Sequence, residues 1–235
     1  MTKPKALFFD VGGTIFDWKN TAKPHIAKLA ADHNQTIDAE AFANDWRREM
    51  FAARAQVAQG DLPWMSADGM HLVALEAMRK SYPLLNEVDD LMMLVRQTWH
   101  NLNSFDGAAE AINQLRTKYT VVVLTILSWE SIVSSSKRAG VQWDGILSCE
   151  FLGYYKPSHQ AYIKGVNLLG LEPEKTMMVA AHKTDLAAAQ STGMKTAYVG
   201  VPEDDLVFTE SAQQPTYNFD VNAVDFAELC QKLGV

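Results

Sequence analysis

Four side chains with chemistry to offer follow short apolar runs in this sequence. Asp10 follows Ala6-Leu7-Phe8-Phe9, Thr125 follows Val121-Val122-Val123-Leu124, Lys156 comes shortly after Ile146-Leu147, and Asp185 comes just after Met177-Met178-Val179-Ala180. A lone Asp at the end of an apolar run is ordinarily a turn or capping residue. Asp, Thr, Lys and Asp at four successive run ends are poorly explained as caps. An aspartate carboxylate becomes a competent nucleophile when it is desolvated and aligned behind an electrophilic carbon, and the product of that attack is an ester. Asp10 is the acid best placed for this role. A second carboxylate nearby, Asp185, would raise its pKa by like-charge repulsion, and Lys156 would oppose that shift and keep Asp10 ionised. Hydroxyls and backbone amides at Thr14 and Thr125 would orient the carboxylate oxygens and stabilise the charge that develops as an ester is hydrolysed.

Groups so far apart in the chain meet only if the runs that carry them are neighbouring strands. Short unbroken apolar runs fit strands buried on both faces, as in parallel sheets, and Thr196-Ala197-Tyr198-Val199 adds a fifth. Between them lie segments with helical spacing, such as Ala108, Ala111, Ile112 and Leu115, or Tyr162, Val166 and Leu169 before Gly170. Strand and helix alternating after residue 105 predict an α/β fold with right-handed crossovers, in which ligands bind beyond the carboxyl ends of the strands. The stretch from Trp18 to Leu102 breaks this alternation. It reads as helix over Ile26 to Ala30, Phe42 to Ala58, His71 to Arg79 and Val88 to His100, with breaks at Gly60, Pro63 and Pro83. It also holds Trp18, Trp46, Trp64 and Trp99 and most of the methionines, large adaptable side chains suited to a helix-bundle core. The predicted organisation is a Rossmann-like parallel-sheet core of residues 1–16 and 103–235, with a helical cap of residues 17–102 inserted after the first strand and closing over the sheet's carboxyl edge.

The chain has 235 residues, 48% hydrophobic and 21% charged, enough for one sizeable core plus such an insertion. Two cysteines, Cys149 and Cys230, are too few for a disulfide framework and read as free thiols in a reducing cytosol. No apolar run approaches the roughly 20 residues that cross a bilayer, and the basic start, Met1-Thr2-Lys3-Pro4-Lys5, leads into no cleavage site, so a cytoplasmic protein is expected. A formal net charge of -7 argues against nucleic-acid or anionic-membrane partners. An anionic small-molecule substrate would then depend on a few local cations. The six histidines form no zinc-ligand pattern near these residues, and a homodimer through the cap surface is left open.

The sequence resembles the haloacid dehalogenase superfamily over nearly its whole length, and within it most resembles the type II 2-haloacid dehalogenases. The resemblance rests on Phe9-Asp10-Val11-Gly12-Gly13-Thr14, on Thr125, on Tyr155-Lys156-Pro157, and on Val179-Ala180-Ala181-His182-Lys183-Thr184-Asp185-Leu186. It implies Asp10 as nucleophile, Thr14, Thr125, Lys156 and Asp185 as its catalytic partners, and a cap arginine, Arg47 in Asp45-Trp46-Arg47-Arg48, that reaches the substrate carboxylate. Phosphatases of this superfamily usually place a second Asp two residues after the nucleophile to protonate an alkoxide leaving group, and add acidic ligands for Mg²⁺. Those positions are Gly12 and Ala181 here. A halide needs no proton and its displacement no metal, so the resemblance implies a cofactor-free dehalogenase. The alternatives are a Mg²⁺ phosphatase using Asp10, the Gly12 carbonyl and Asp185, or a catalytically weak binding protein of the same fold. The sequence also departs from the dehalogenase pattern. Gly12 replaces an aromatic residue, Ile126 an Asn that helps hold substrate and halide, Thr125 and Ala181 each a Ser, and His182 an Asn. Gly12, Ser128 and His182 are expected to line the substrate, with Trp46, Trp129, Ser128 or His182 supplying the missing halide donors.

Overall fold

The computed structural model of the protein describes residues 3–202 and 218–235. Met1 and Thr2 of the basic start, and residues 203–217 of the C-terminal core segment, lie outside the described residues. The chain opens with β1 (Ala6–Phe9) and β2 (Phe16–Asp17), then runs through α1 (Trp18–Asp32), α2 (Ala39–Gln59), α3 (Ala67–Met78), a 3-10 turn at Pro83–Asn86, and α4 (Leu91–Trp99). It returns through β3 (Asn103–Ser104) to α5 (Ala108–Leu115), β4 (Thr120–Thr125), α6 (Trp129–Ala139), β5 (Gly145–Ser148), α7 (Cys149–Leu152) and α8 (His159–Leu168). After a 3-10 turn at Pro173–Lys175 come β6 (Thr176–Ala180), α9 (Lys183–Gln190), β7 (Lys195–Val199), β8 (Val221–Ala223) and α10 (Phe226–Leu233).

Six strands form one parallel sheet in the order β5-β4-β1-β6-β7-β8. The unbroken apolar character of β1 follows from burial on both faces. Leu7 and Phe9 join the core that includes Ile112 and Leu115 of α5 and Phe226 and Leu229 of α10. Ala6 and Phe8 join the opposite core with Tyr162 and Val166 of α8 and Leu186 and Ala189 of α9. This is the period of two expected of a strand covered by helices on each side. Because β4 and β6 flank β1, with Phe9 level with Val123 and Val179, the chain ends of three motif-bearing strands open side by side. The strand order reverses there, which is where open α/β sheets bind ligands.

The four helices α1–α4 form the cap. Where the chain leaves for this region and comes back, β2 and β3 pair antiparallel, Phe16 with Ser104 and Asp17 with Asn103. An aromatic cluster fills the helix layer. Trp46 meets Trp99 edge-on at 5.7 Å, Trp99 stacks on Trp18 at 5.9 Å, and His71 stacks on Trp99 at 4.0 Å. Burial pushes the His71 pKa down to about 3, so that imidazole packs as a neutral ring. The long helix α2 starts at Asp38, whose carboxylate accepts from the amides of Glu40 and Ala41, and stops at Gly60, whose φ of 85° suits glycine.

Candidate active site

Asp10 follows β1 directly, and its own amide donates to the Val179 carbonyl at 3.0 Å, extending the β1–β6 ladder by one residue. The chain then reverses. Gly13 takes a φ of 85°, its amide donates to the Phe16 carbonyl, and the Ile15 amide donates back to Val11. This tight loop returns Thr14 to Asp10. The Thr14 hydroxyl donates to Asp10 Oδ2 at 2.9 Å and accepts from the Ala181 amide at 3.0 Å, tying the loop after β1 to the loop after β6. Lys156 Nζ lies 2.8 Å from Asp10 Oδ1 and 2.7 Å from Asp185 Oδ2, and the Tyr162 hydroxyl donates to Asp185 Oδ1. His182 brings Nδ1 to 3.0 Å from Asp10 Oδ2.

These groups are nearly sealed from solvent, with Asp10 6%, Lys156 5% and Asp185 9% exposed. Burial alone would raise the Asp10 pKa, but the charge of Lys156 and the hydrogen bond and charge of His182 outweigh it and hold the carboxyl far below the usual carboxylate range. Lys156 is held above the usual lysine value. Burial opposes its charge, and Asp10 and Asp185 on either side more than compensate. The Asp10 carboxylate is therefore ionised, held by three polar partners and barely hydrated. That is a state in which a carboxylate attacks well.

A cavity of about 370 Å³ opens over Asp10. Its floor comes from the core through Asp10, Gly12, Thr125, Ile126, Leu127, Lys156, His182, Thr184 and Asp185, and its roof from α2 through Arg47, Arg48, Phe51 and Arg54. Positions 47, 51 and 54 share one helical face. Arg47 is 4% exposed, with its guanidinium carbon 4.4 Å from the Trp18 ring centre and 5.0 Å from that of Phe51. Arg48 sits at the rim, paired with Asp45 at 2.6 Å and Glu49 at 3.6 Å.

Of the residues singled out from sequence, Asp10, Gly12, Arg47, Thr125, Lys156, His182 and Asp185 line this cavity, and Thr14 stands behind Asp10. Ser128 does not line it. It caps α6 by accepting from the Ser131 amide and donates to Asp68 of the cap. Trp46 donates its indole N–H to the His71 carbonyl inside the helix layer, and Trp129 is 45% exposed. Of the four expected halide donors, only His182 faces the cavity. Tyr155 turns away, stacking on Trp64 and donating to the Met65 carbonyl. Burial pushes the Cys149 thiol up to about 11, consistent with a core thiol. Sequence reasoning missed Tyr162, a polar tip in an otherwise apolar helix stripe. It also missed Phe51 and Arg54, which the i, i+4, i+7 spacing from Arg47 would have revealed.

A magnesium ion of the kind superfamily phosphatases use would need several hard oxygen ligands in octahedral array. Here the Lys156 ammonium bridges the two carboxylates, and neither Gly12 nor Ala181 adds an acid. The residues present do not fit that ion.

Residues 4–193 match the family model described as haloacid dehalogenase-like hydrolase, and the chain belongs to that family. Among solved structures, the defluorinating L-2-haloacid dehalogenase Rha0230 is 29% identical, covers 99% of this chain and 96% of its own, and superposes with a TM-score of 0.90. The L-2-haloacid dehalogenase PA0810 is 28% identical with coverage of 99% of both chains and a TM-score of 0.87. Among curated proteins, a glyceraldehyde 3-phosphate phosphatase of Methanothermobacter thermautotrophicus is 24% identical over 94% of this chain and 95% of its own. A pyrophosphatase of Bacillus cereus is 24% identical over 48% of this chain, and the match spans 56% of that protein's length.

Proposed function

We propose that this hydrolase cleaves the carbon–halogen bond of a small 2-haloalkanoic acid and releases the 2-hydroxy acid. The observation that carries the reading is Gly12. The position from which a phosphatase's general acid would act bears no side chain, and an added Cβ would lie 3.2 Å from Leu127 Cδ1, so a larger residue must displace that side chain. A site without that acid favours a leaving group that departs unprotonated, and halide is one. The likeness to Rha0230 and PA0810 over almost the full chain supports the same choice.

In this reading Arg47 binds the substrate carboxylate through charge-assisted hydrogen bonds. An Asp10 oxygen attacks the halogen-bearing carbon from behind, the carbon–halogen bond breaks, and halide leaves with the bonding pair. The configuration at carbon inverts. Water then adds to the Asp10 carbonyl carbon, the ester's acyl–oxygen bond breaks, and the 2-hydroxy acid departs as the carboxylate is regenerated and a proton is released. Once Asp10 is esterified it no longer carries the charge that favours a cationic His182, and the neutral imidazole takes a proton from that water. Lys156 and Thr14 stabilise negative charge on the Asp10 oxygens in both steps. Single turnover in H₂¹⁸O with enzyme in excess tests the sequence of bonds. The label enters Asp10 and the product stays unlabelled. Label in the product after that first turnover would contradict the ester route, and absence of halide release from chloroacetate, both 2-chloropropionate enantiomers and 2-chlorosuccinate would overturn the reaction itself.

A further inference from the structure

The roof of the cavity carries a second guanidinium for which the reaction above has no use. Arg54 lies seven residues beyond Arg47 on α2, and both guanidinium carbons approach the Phe51 ring, at 4.8 and 5.0 Å from its centre. The two carbons are therefore within about 10 Å of each other. Arg54 Nη1 donates to the Lys156 carbonyl at 2.7 Å, which anchors the side chain over the nucleophile's side of the cavity. A guanidinium offers five N–H donors. No carboxylate of the described residues forms an ion pair with Arg54, whereas Arg48 is matched by Asp45 and Glu49, and Lys156 by Asp10 and Asp185.

Arg54 thus keeps guanidinium N–H groups for which the described residues supply no ion-paired carboxylate. Burial pulls the Arg54 pKa below its ordinary value and Arg47 adds to the effect, while Cys149, Tyr162 and Asp185 oppose it. A substrate carboxylate held by Arg47 in a bidentate pair leaves Arg54 available for a second one. The cavity volume, about 370 Å³, also falls within the range of pockets for ligands larger than a three-carbon acid, roughly 300–1,000 Å³.

We propose that Arg54 forms a second anion subsite and that the substrate class is the 2-halodicarboxylates, with Arg47 holding the carboxylate beside the reacting carbon and Arg54 the distal one. The identity of the halo group rests on the function proposed above; the second anion subsite does not. Titration calorimetry with unreactive 2-hydroxy acids tests the subsite without turnover. Wild-type protein binds 2-hydroxysuccinate about ten- to a hundredfold more tightly than 2-hydroxypropionate, the scale of one charge-assisted hydrogen-bonded pair. Arg54→Gln, which keeps a donor for the Lys156 carbonyl but no charge, erases most of that preference, and Arg54→Lys keeps part of it. Equal affinities in the wild type, or a preference that survives Arg54→Gln, would overturn the subsite. Halide release from 2-chlorosuccinate and 2-chloropropionate is measured in parallel. No release from either, with the binding preference intact, supports the subsite and overturns the dehalogenase reading; release from both without a dicarboxylate preference overturns the subsite alone.

Discussion

Replacing Lys156 with methionine leaves Asp10 and Asp185 facing each other across a gap without its ammonium. Both of their short contacts end on Nζ, at 2.8 and 2.7 Å, so the two carboxylate oxygens lie no more than about 5.5 Å apart. At an effective dielectric constant of about 20, two unit charges at that distance repel by about 3 kcal/mol, which is about 2 pKa units. The variant also loses the attraction and hydrogen bond that Lys156 gives Asp10, while the cost of burying the carboxylate stays. The acid limb of kcat/KM therefore moves upward by at least about 2 units. In the wild type, activity holds as the pH falls through the ordinary carboxylate range because the Asp10 pKa lies below it. In the variant, activity falls as the pH drops through the raised pKa and returns at higher pH. The assay is halide release from 2-chloropropionate across the acid range, with kcat and KM resolved at each pH. A variant slower at every pH, but with the acid limb of the wild type, would refute the argument, since Lys156 would then not be what keeps the nucleophile ionised.

Three further outcomes follow from the same geometry. Arg47→Met raises KM for a 2-haloacid by about ten- to a hundredfold, with a smaller change in kcat, because it removes a charge-assisted contact to the substrate rather than to the reacting bond; steady-state kinetics resolve the two. Tyr162→Phe leaves Asp185 Oδ1 without its buried donor and costs about 1–3 kcal/mol, read as a lower urea midpoint at unchanged m. The Asp10–Lys156 pair also makes stability depend on pH. The part from Asp10 is present above about pH 4 and fades as the pH falls through its lowered value, and the part from Lys156 is present below about pH 10 and fades as the pH rises through its raised value. Urea midpoints flat from pH 5 to pH 9 in the wild type, but sloping in Lys156→Met, are the expected pattern.

The central sheet was legible because its strands are buried on both faces, which leaves unbroken runs such as Leu7-Phe8-Phe9 and Met177-Met178-Val179 in the sequence. β8 escaped notice because its three residues include exposed Asn222, and β2 and β3 because two residues make no pattern. The cap helices were legible from their breakers, Gly60, Pro63 and Pro83, although α1 begins at Trp18 and carries Pro24 inside it. Within the site, residues at the ends of β1, β4 and β6 were readable from strand position. Residues whose role depends on which way a side chain leaves a helix were harder: Arg47 came through the resemblance, whereas Phe51 and Arg54 were missed. Ser128 shows the difference: one residue past Leu127, the chain has already turned into α6, and the hydroxyl serves the helix end and Asp68 instead of the cavity.

The cavity owes its character to two elements with opposite tasks. The core contributes two carboxylates around one ammonium with Thr14, Tyr162 and His182 as further partners, and such a set holds Asp10 ionised without attracting an anion. Attraction has to come from α2, whose Arg47 and Arg54 place positive charge over Asp10 in a chain of net charge -7. The two tasks are mechanically joined, since Arg54 is hydrogen-bonded to the carbonyl of the very lysine that neutralises the carboxylates, while Tyr155 and Ser128 bond to Met65 and Asp68 of the cap on either side. A displacement of the cap would thus separate Arg47 and Arg54 from Asp10 and loosen the chain segment that carries Lys156. The Arg54 side chain and the segment that keeps Asp10 ionised are in this way joined through one backbone carbonyl.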